Sequence, residues 1–187
     1  LGFLNRISIT GNQLTVGGGV SITKLLEVIV PMGYFLPVSP GSAQVTIGGA
    51  IAADVHGKNH YKAGSFGNHV SRILLMDSKG EINEIKPKLG KSEEKNDFFW
   101  ATVGGMGLTG IILEVTISLL KIETSFMKVN RFICEELEIL LDLMKSKENQ
   151  YSYSFAWLDS FDKKTRGVLT CGEHATSKEV NPVYSNN

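Results

Sequence analysis

The sequence is poor in cysteine, has no excess charge of either sign and contains no long apolar run. Its two cysteines, Cys134 and Cys171, lie far apart and outside any C-x-x-C spacing. This predicts two buried free thiols rather than a disulfide framework or a thiolate zinc site. Nineteen basic and nineteen acidic residues give a net charge of zero, whereas nucleic-acid-binding domains usually carry a basic excess. No apolar run approaches the roughly 20 residues of a membrane-spanning helix.

These absences argue against a nucleic-acid partner and against a transmembrane segment. They predict a cytoplasmic protein and leave association with a membrane surface open. The hydrophobic content of 42% together with 20% charged residues is typical of a globular chain that buries a core.

Turn residues and apolar spacing predict a hairpin, a helix and a short strand in the first 40 residues. Gly11 and Asn12 separate strand-like segments 7–9 and 13–16. Ser21 precedes apolar residues at the i, i+3, i+4, i+7 spacing of a helix, which Pro31 and Gly33 end. Segment 34–38 has the pattern of a strand.

The remainder of the chain predicts an α+β fold, because its strands fall in hairpins and not in regular βαβ units. The predicted elements are, in order, strand 70–76, strand 81–85, loop 86–96, helix 98–102, strand 111–119, helix 135–144 and strand 151–157. The character of the sequence changes after residue 122, where we expect a domain boundary.

Residues 105–110, GMGLTG, match the G-x-G-x-x-G dinucleotide motif letter for letter. In a Rossmann fold the motif follows a strand and opens a helix, so that the pyrophosphate meets the helix N-terminus. Here the order is reversed, since FFWAT precedes the motif and the β-branched IILEVTI follows it. The context argues against a Rossmann fold. The glycines still predict positive φ or a close backbone approach to a helix or a flat ligand.

A second glycine-rich stretch, residues 40–67, predicts a ligand-binding loop. Six glycines lie beside Thr46, His56 and Lys58, and glycine lets backbone N–H groups face an anion. We expect a tight turn at Gly48-Gly49, a short helix of small residues and a loop over 56–67; a glycine-rich packing turn is the alternative. A metal site at His56 and the later histidines is not expected, because no acidic or thiol ligand has a supporting spacing.

The stretches PGSAQVTIGGAIAADVHGKNHYKAGSFGNHV and FFWATVGGMGLTGIILEVTI resemble the FAD-binding domain of the vanillyl-alcohol-oxidase (PCMH) type of flavoprotein oxidase. Within that family they are most similar to the branch that oxidises a lipid-linked ribose for cell-wall arabinan. The resemblance implies an incomplete FAD-binding domain at residues 1–122, without its N-terminal pyrophosphate loop. It also implies the beginning of an α+β substrate (cap) domain at 123–187, so that the chain is expected to be truncated at both ends.

The resemblance also implies a set of site residues. His56 and Lys58 would face the flavin and the substrate as catalytic residues, and Trp157 would form the far wall of the substrate pocket. The implied FAD contacts are Gly41, Ser42, Thr46, Ile47, Gly48, Gly49, Ala53, Asp54, Val55, His56 and Ile112.

The implied function is FAD-dependent oxidation of a ribose-type sugar hydroxyl. A hydride would pass to flavin N5, and a partner reductase would complete an epimerisation. The substrate would be a sugar or a lipid-linked sugar, although Phe155 stands where a small hydroxyl residue is expected for the lipid-linked kind. Two alternatives stay open: an aldonolactone or alditol oxidase of the same superfamily, and a fragment without catalytic activity.

Overall fold

The computed structural model describes residues 6–87, 98–161 and 163–180. The chain divides into two compact units, Leu1–Lys121 and Ile122–Asn187. The predicted domain boundary at residue 122 lies beside this division, while the roles assigned to the two domains stay predictions. Within the described ranges, no helix is both long enough and apolar enough to cross a membrane.

The first unit contains a five-stranded sheet in which every pair of neighbours is antiparallel. The strand order is β1-β2-β6-β4-β5, and a two-stranded sheet pairs β3 with β7. The strands are β1 Ile7–Thr10, β2 Gln13–Gly17, β3 Tyr34–Phe35, β4 Val70–Met76, β5 Ile82–Ile85, β6 Ile111–Ser118 and β7 Leu120–Lys121. The antiparallel sheet and the turn before β6 confirm the predicted α+β fold and argue against the Rossmann motif.

In the described part of this unit, four α-helices and a 3-10 helix accompany the sheet. They are α1 Ile22–Ile29, α2 Ile47–Ala52, α3 His60–Ala63, the 3-10 helix Phe66–His69 and α4 Phe98–Thr102. Ser21 caps α1 as predicted, because its side chain accepts a hydrogen bond from Lys24 N. Apolar residues of β2, β4, β6, α1 and α2 form one core.

The structure corrects three local predictions in this unit. Gly48 and Gly49 lie in the first turn of α2, because the Thr46 side chain caps the helix at Gly49 N. Segment 56–67 is not one loop, since it contains α3 and the start of the 3-10 helix. The strand predicted over 34–38 is limited to β3. Most of the predicted loop 86–96 lies outside the described residues.

Between residues 122 and 180, leaving out residue 162, the second unit contains a three-stranded antiparallel sheet and one helix. The strand order is β8-β10-β9, and the elements are β8 Met127–Cys134, α5 Leu137–Lys147, β9 Tyr153–Leu158 and β10 Gly167–His174. Leu140 of α5 packs with Cys134, Leu169 and Cys171. Both cysteines are free and buried, as predicted. Strands β8 and β10 were not predicted from the sequence.

Candidate cofactor-binding site

A groove of about 290 Å³ opens in the first unit between the start of α2 and the start of β6. Three segments meet there: the end of β2, helix α2 and the glycine segment before β6. The lining residues are Gly18, Gly19, Thr46, Gly48, Gly49, Ala52, Gly107, Gly110, Ile111 and Ile112. Six of these ten lining residues are glycines, so a ligand in the groove would lie largely against backbone.

Close packing explains the glycines at the base of the groove. Gly18 N donates to Leu113 O over 2.8 Å, and Gly48 N donates to Gly18 O over 2.8 Å. A Cβ on Gly48 would lie 3.0 Å from Gly18 O, and a Cβ on Gly18 would overlap Ile112 O. Glycine at position 18 is required by the close approach of Ile112 at the start of β6, and glycine at position 48 lets α2 lie directly against Gly18.

The amide groups at the start of α2 are used inside the protein. Ile47 N donates to Val20 O over 2.8 Å, Gly48 N to Gly18 O, and Gly49 N to Thr46 Oγ1 over 3.1 Å. The Ile47 side chain is fully buried in the core. The Thr46 hydroxyl is exposed and accepts from Gly49, which leaves its hydrogen as the polar donor that this turn offers to a ligand.

The opposite wall is held against the end of α2 by two backbone bonds. Gly104 N donates to Ile51 O over 3.0 Å, and Met106 N donates to Ala52 O over 2.8 Å. Met106, Gly107 and Gly110 have φ angles of 52°, 78° and 147°. The G-x-G-x-x-G segment therefore makes the sharp turn that brings Ile111 and Ile112 to the groove, and two of its glycines adopt the positive φ angles that the sequence predicts.

The predicted residues Ala53–Val55 follow α2 and connect it to the 3-10 helix. Asp54 has a φ of 42°, and its Oδ1 accepts from Gly67 N over 2.9 Å. Val55 N donates to Ala50 O, and Val55 O accepts from Phe66 N. The Asp54 carboxylate thus holds two elements together, whereas Ala53 is exposed.

His56 and Lys58 are exposed on the next turn and do not belong to the lining of the groove just described. The His56 backbone pairs with Ser65, and its ring centroid lies 5.4 Å from that of His60. His69 Nε2 lies 2.8 Å from Ala63 O, which makes His69 a structural residue. In the described part of the chain no three His, Cys, Asp or Glu side chains are placed to hold a metal ion.

Gly41 and Ser42 lie in the exposed segment before α2, where Ser42 Oγ accepts from Gln44 N over 3.4 Å. A Cβ on Gly41 would meet nothing within 4 Å. The structure therefore brings Thr46, Gly48, Gly49 and Ile112 together in one groove and leaves Gly41 and Ser42 on the surface.

Trp157 lies on β9 in the second unit and is 72% exposed. It lines a groove of about 370 Å³ with Ile133, Glu135, Leu158, Asp159, Arg166, Gly167 and Val168. On the same face of the sheet, Tyr153 Oη lies 3.2 Å from His174 Nε2. Burial raises the pKa of Tyr153 and lowers the pKa of His174, so both groups are held in their neutral forms.

The groove of the first unit fits part of a dinucleotide. Backbone forms much of its wall, Thr46 supplies a hydroxyl donor, and Ile111 and Ile112 supply an apolar surface for a flat ring. Its volume is near the lower end of the roughly 300–1,000 Å³ of small-molecule sites. Gly18 and Gly19 line the groove and were not predicted as ligand contacts, whereas for Gly107 and Gly110 the sequence left a close approach to a flat ligand open.

Comparison with known proteins gives the same cofactor. The family model of the FAD binding domain matches residues 1–86. Decaprenylphosphoryl-β-D-ribose oxidase of Mycolicibacterium smegmatis is 44% identical over 164 residues, which cover 86% of this chain and 35% of that protein. An uncharacterized Streptomyces coelicolor protein is 31% identical over 83% of this chain and 41% of its own length. A D-arabinono-1,4-lactone oxidase from Neurospora crassa, itself named as putative, is 29% identical over 55% of this chain and 17% of its own length.

The chain spans well under half the length of these relatives. The Mycolicibacterium and Streptomyces matches nevertheless include both units, since 164 and 159 aligned residues exceed the length of the first unit alone. They show that the chain belongs to the family of FAD-binding flavoprotein oxidoreductases, for which FAD is the cofactor.

Proposed function

We propose that the protein oxidises a hydroxyl group of a ribose-type sugar in an FAD-dependent reaction and that a partner reductase then completes an epimerisation. The supporting observation is the 44% identity with a decaprenylphosphoryl-β-D-ribose oxidase over 86% of the chain. The proposed location is the cytoplasm, with contact to a membrane surface if the sugar is lipid-linked. Residues 1–122 act in FAD binding and residues 123–187 act in substrate binding.

In this proposal the groove between α2 and β6 holds part of FAD. Thr46 donates its hydroxyl hydrogen to the cofactor, Gly48 and Gly49 admit it to the backbone, and Ile112 packs beside it. Gly41 and Ser42 and the residues Ala53–Val55 flank the site on either side of α2. Ile47 contributes through the core, because its side chain is fully buried.

Oxidation of a sugar hydroxyl removes a hydride from carbon and a proton from oxygen, and it leaves a ketone. When bound, FAD supplies the hydride acceptor, at N5. The proton needs a base within hydrogen-bonding reach, and an imidazole nitrogen is a common general base. His56 is the proposed base, and Lys58 stabilises the negative charge that develops on the oxygen.

Flavin absorption and anaerobic reduction test this proposal. Purified protein mixed with FAD should show a bound-flavin spectrum, and a phosphoryl-ribose substrate should bleach that spectrum in the absence of oxygen. Bleaching by an aldonolactone but not by the ribose substrate would favour the lactone oxidase, for which the Neurospora match is the supporting observation. A protein that binds no flavin would be the inactive alternative.

A further inference from the structure

A buried asparagine connects the turn that carries His56 and Lys58 to the rest of the first unit. Asn59 is 6% exposed, and its Nδ2 donates to Pro37 O over 2.8 Å. The two residues are 22 positions apart, so the bond joins this turn to the segment that follows β3. A backbone carbonyl only accepts, which fixes the amide orientation with nitrogen towards Pro37.

Gly57 makes a second contact with the same segment. A Cβ on Gly57 would lie 2.8 Å from Ser39 O and 2.9 Å from Asn59 Oδ1. Backbone therefore packs on backbone, and His56 adds the bridge to Ser65. The result is an alternation in which His56 and Lys58 are exposed while Gly57 and Asn59 are buried.

Among the described residues, only the nitrogen end of the Asn59 amide is hydrogen-bonded. Its Oδ1 is buried and accepts no hydrogen bond from them, and an unsatisfied buried acceptor costs free energy. An apolar side chain of similar size would avoid this cost, but it would leave the Pro37 carbonyl without its donor and would remove the side-chain bond between the two segments.

We propose that Asn59 is a positioning residue of the cofactor site. Its bond to Pro37 fixes the turn over 56–58, so that the His56 imidazole and the Lys58 ammonium are presented to FAD and substrate in one arrangement. This inference rests on the proposed function, because it assigns Asn59 a role through two residues of that site.

Asn59→Ala tests the inference, with Asn83→Ala as the matched control. Asn83 is an exposed asparagine of β5 whose Nδ2 also donates to a backbone carbonyl, Glu81 O. The Asn59 variant should bind FAD about tenfold more weakly, by the loss of one positioned polar contact. The NMR signals of the His56 ring should shift, while those of His174 in the second unit stay in place. Wild-type FAD affinity and unchanged His56 signals in Asn59→Ala would overturn the inference.

Asn59→Asp provides a second test that keeps the side-chain shape. Its carboxyl can donate to Pro37 only when it is protonated, and burial beside a carbonyl oxygen raises a carboxyl pKa. The loss of FAD affinity relative to wild type should therefore shrink as the pH falls from about 8 to about 5. A loss that is independent of pH would contradict the role of the bond. If the wild-type protein binds no FAD, the proposed function fails, whereas the His56 signals still decide whether Asn59 positions the turn.

Discussion

At the scale of single residues, replacing His56 or His69 by alanine should have opposite effects on activity and stability. His56 is exposed and faces no core, so His56→Ala should leave the melting temperature unchanged. If His56 bonds a polar or charged partner in the site, the loss is about 1.5–3 kcal/mol, or roughly 10- to 150-fold in turnover.

His69→Ala is the comparison. It removes the contact with Ala63 O and should lower stability by about 1 kcal/mol while the loaded enzyme stays active. Steady-state sugar oxidation and thermal unfolding of both variants distinguish the two profiles. Equal activity in the two variants would reduce His56 to a residue of the scaffold.

His174 should make the stability of the second unit depend on pH. Burial lowers its pKa below the ordinary 6.5, against the opposing effect of Glu173. Between the lowered pKa of the folded state and the ordinary 6.5, the unfolded chain binds more protons than the folded chain. The free energy of unfolding therefore falls as the pH drops below 6.5. Urea unfolding followed at a series of pH values should show this slope, and His174→Gln should flatten it.

Two surface carboxylates with lowered pKa values add a pH dependence of stability only below the pH range of this measurement. Hydrogen bonds from Lys86 and Arg72 lower the pKa of Glu84 to about 2. Hydrogen bonds from Lys128 and Thr176 lower the pKa of Glu179 to about 2 as well. Their contributions are present above the ordinary 4.5 and are lost only at lower pH. A slope that persists in His174→Gln between pH 4.5 and 6.5 would assign the effect to other groups.

Residue-level prediction from sequence succeeded where the cause is local. Ser21 and its helix were predicted because a cap bonds an amide three positions away. The role of Asp54 was not predicted, because its partner Gly67 is 13 positions away and is brought close by the fold. The use of the Ile47 and Gly48 amides inside the protein was hidden for the same reason, because their partners Val20 and Gly18 are distant in sequence.

At the scale of elements, the contact between α2 and the residues that follow β2 is sensitive to one added methyl group. Gly48→Ala places a Cβ 3.0 Å from Gly18 O, which should cost about 1–3 kcal/mol by overpacking. The shift of α2 should also narrow the groove and weaken FAD binding.

Gly41→Ala is the control for stability, because a Cβ there meets nothing within 4 Å. Chemical denaturation of both variants, followed by FAD titration, checks the expectation. A Gly48→Ala protein as stable as wild type would show that α2 can move without consequence.

Elements with one clear periodicity were predicted and elements with a mixed pattern were not. Strand β4 and helix α1 follow their periods and were found within a residue of their ends. Each face of strand β8 carries both polar and apolar residues, and neither face is consistently apolar. Arg131 lies on one face and Phe132 on the other. Strand β10 includes Gly167 and Gly172, and glycine is depleted in strands.

At the scale of the whole molecule, FAD should protect specific backbone amides from hydrogen exchange. The three segments that meet at the groove are 17–19, 46–52 and 104–112. Binding to the folded state suppresses opening, so their exchange should slow by an amount that grows with FAD concentration. Peptides from α5 are the internal reference. Unchanged exchange in all three segments at saturating FAD would place the cofactor elsewhere.

The strand order of the first unit also bears on how the protein is made. Strand β6 is the last strand of its five-stranded sheet in the chain and lies between β2 and β4. During translation the ribosome releases the N-terminal part first, so the nascent chain carries β2 and β4 with unpaired edges until residues 111–118 emerge. The groove needs Ile111 and Ile112, and it therefore forms only then. A ribosome-bound chain that ends before β6 should need a chaperone to stay in solution and should retain no flavin.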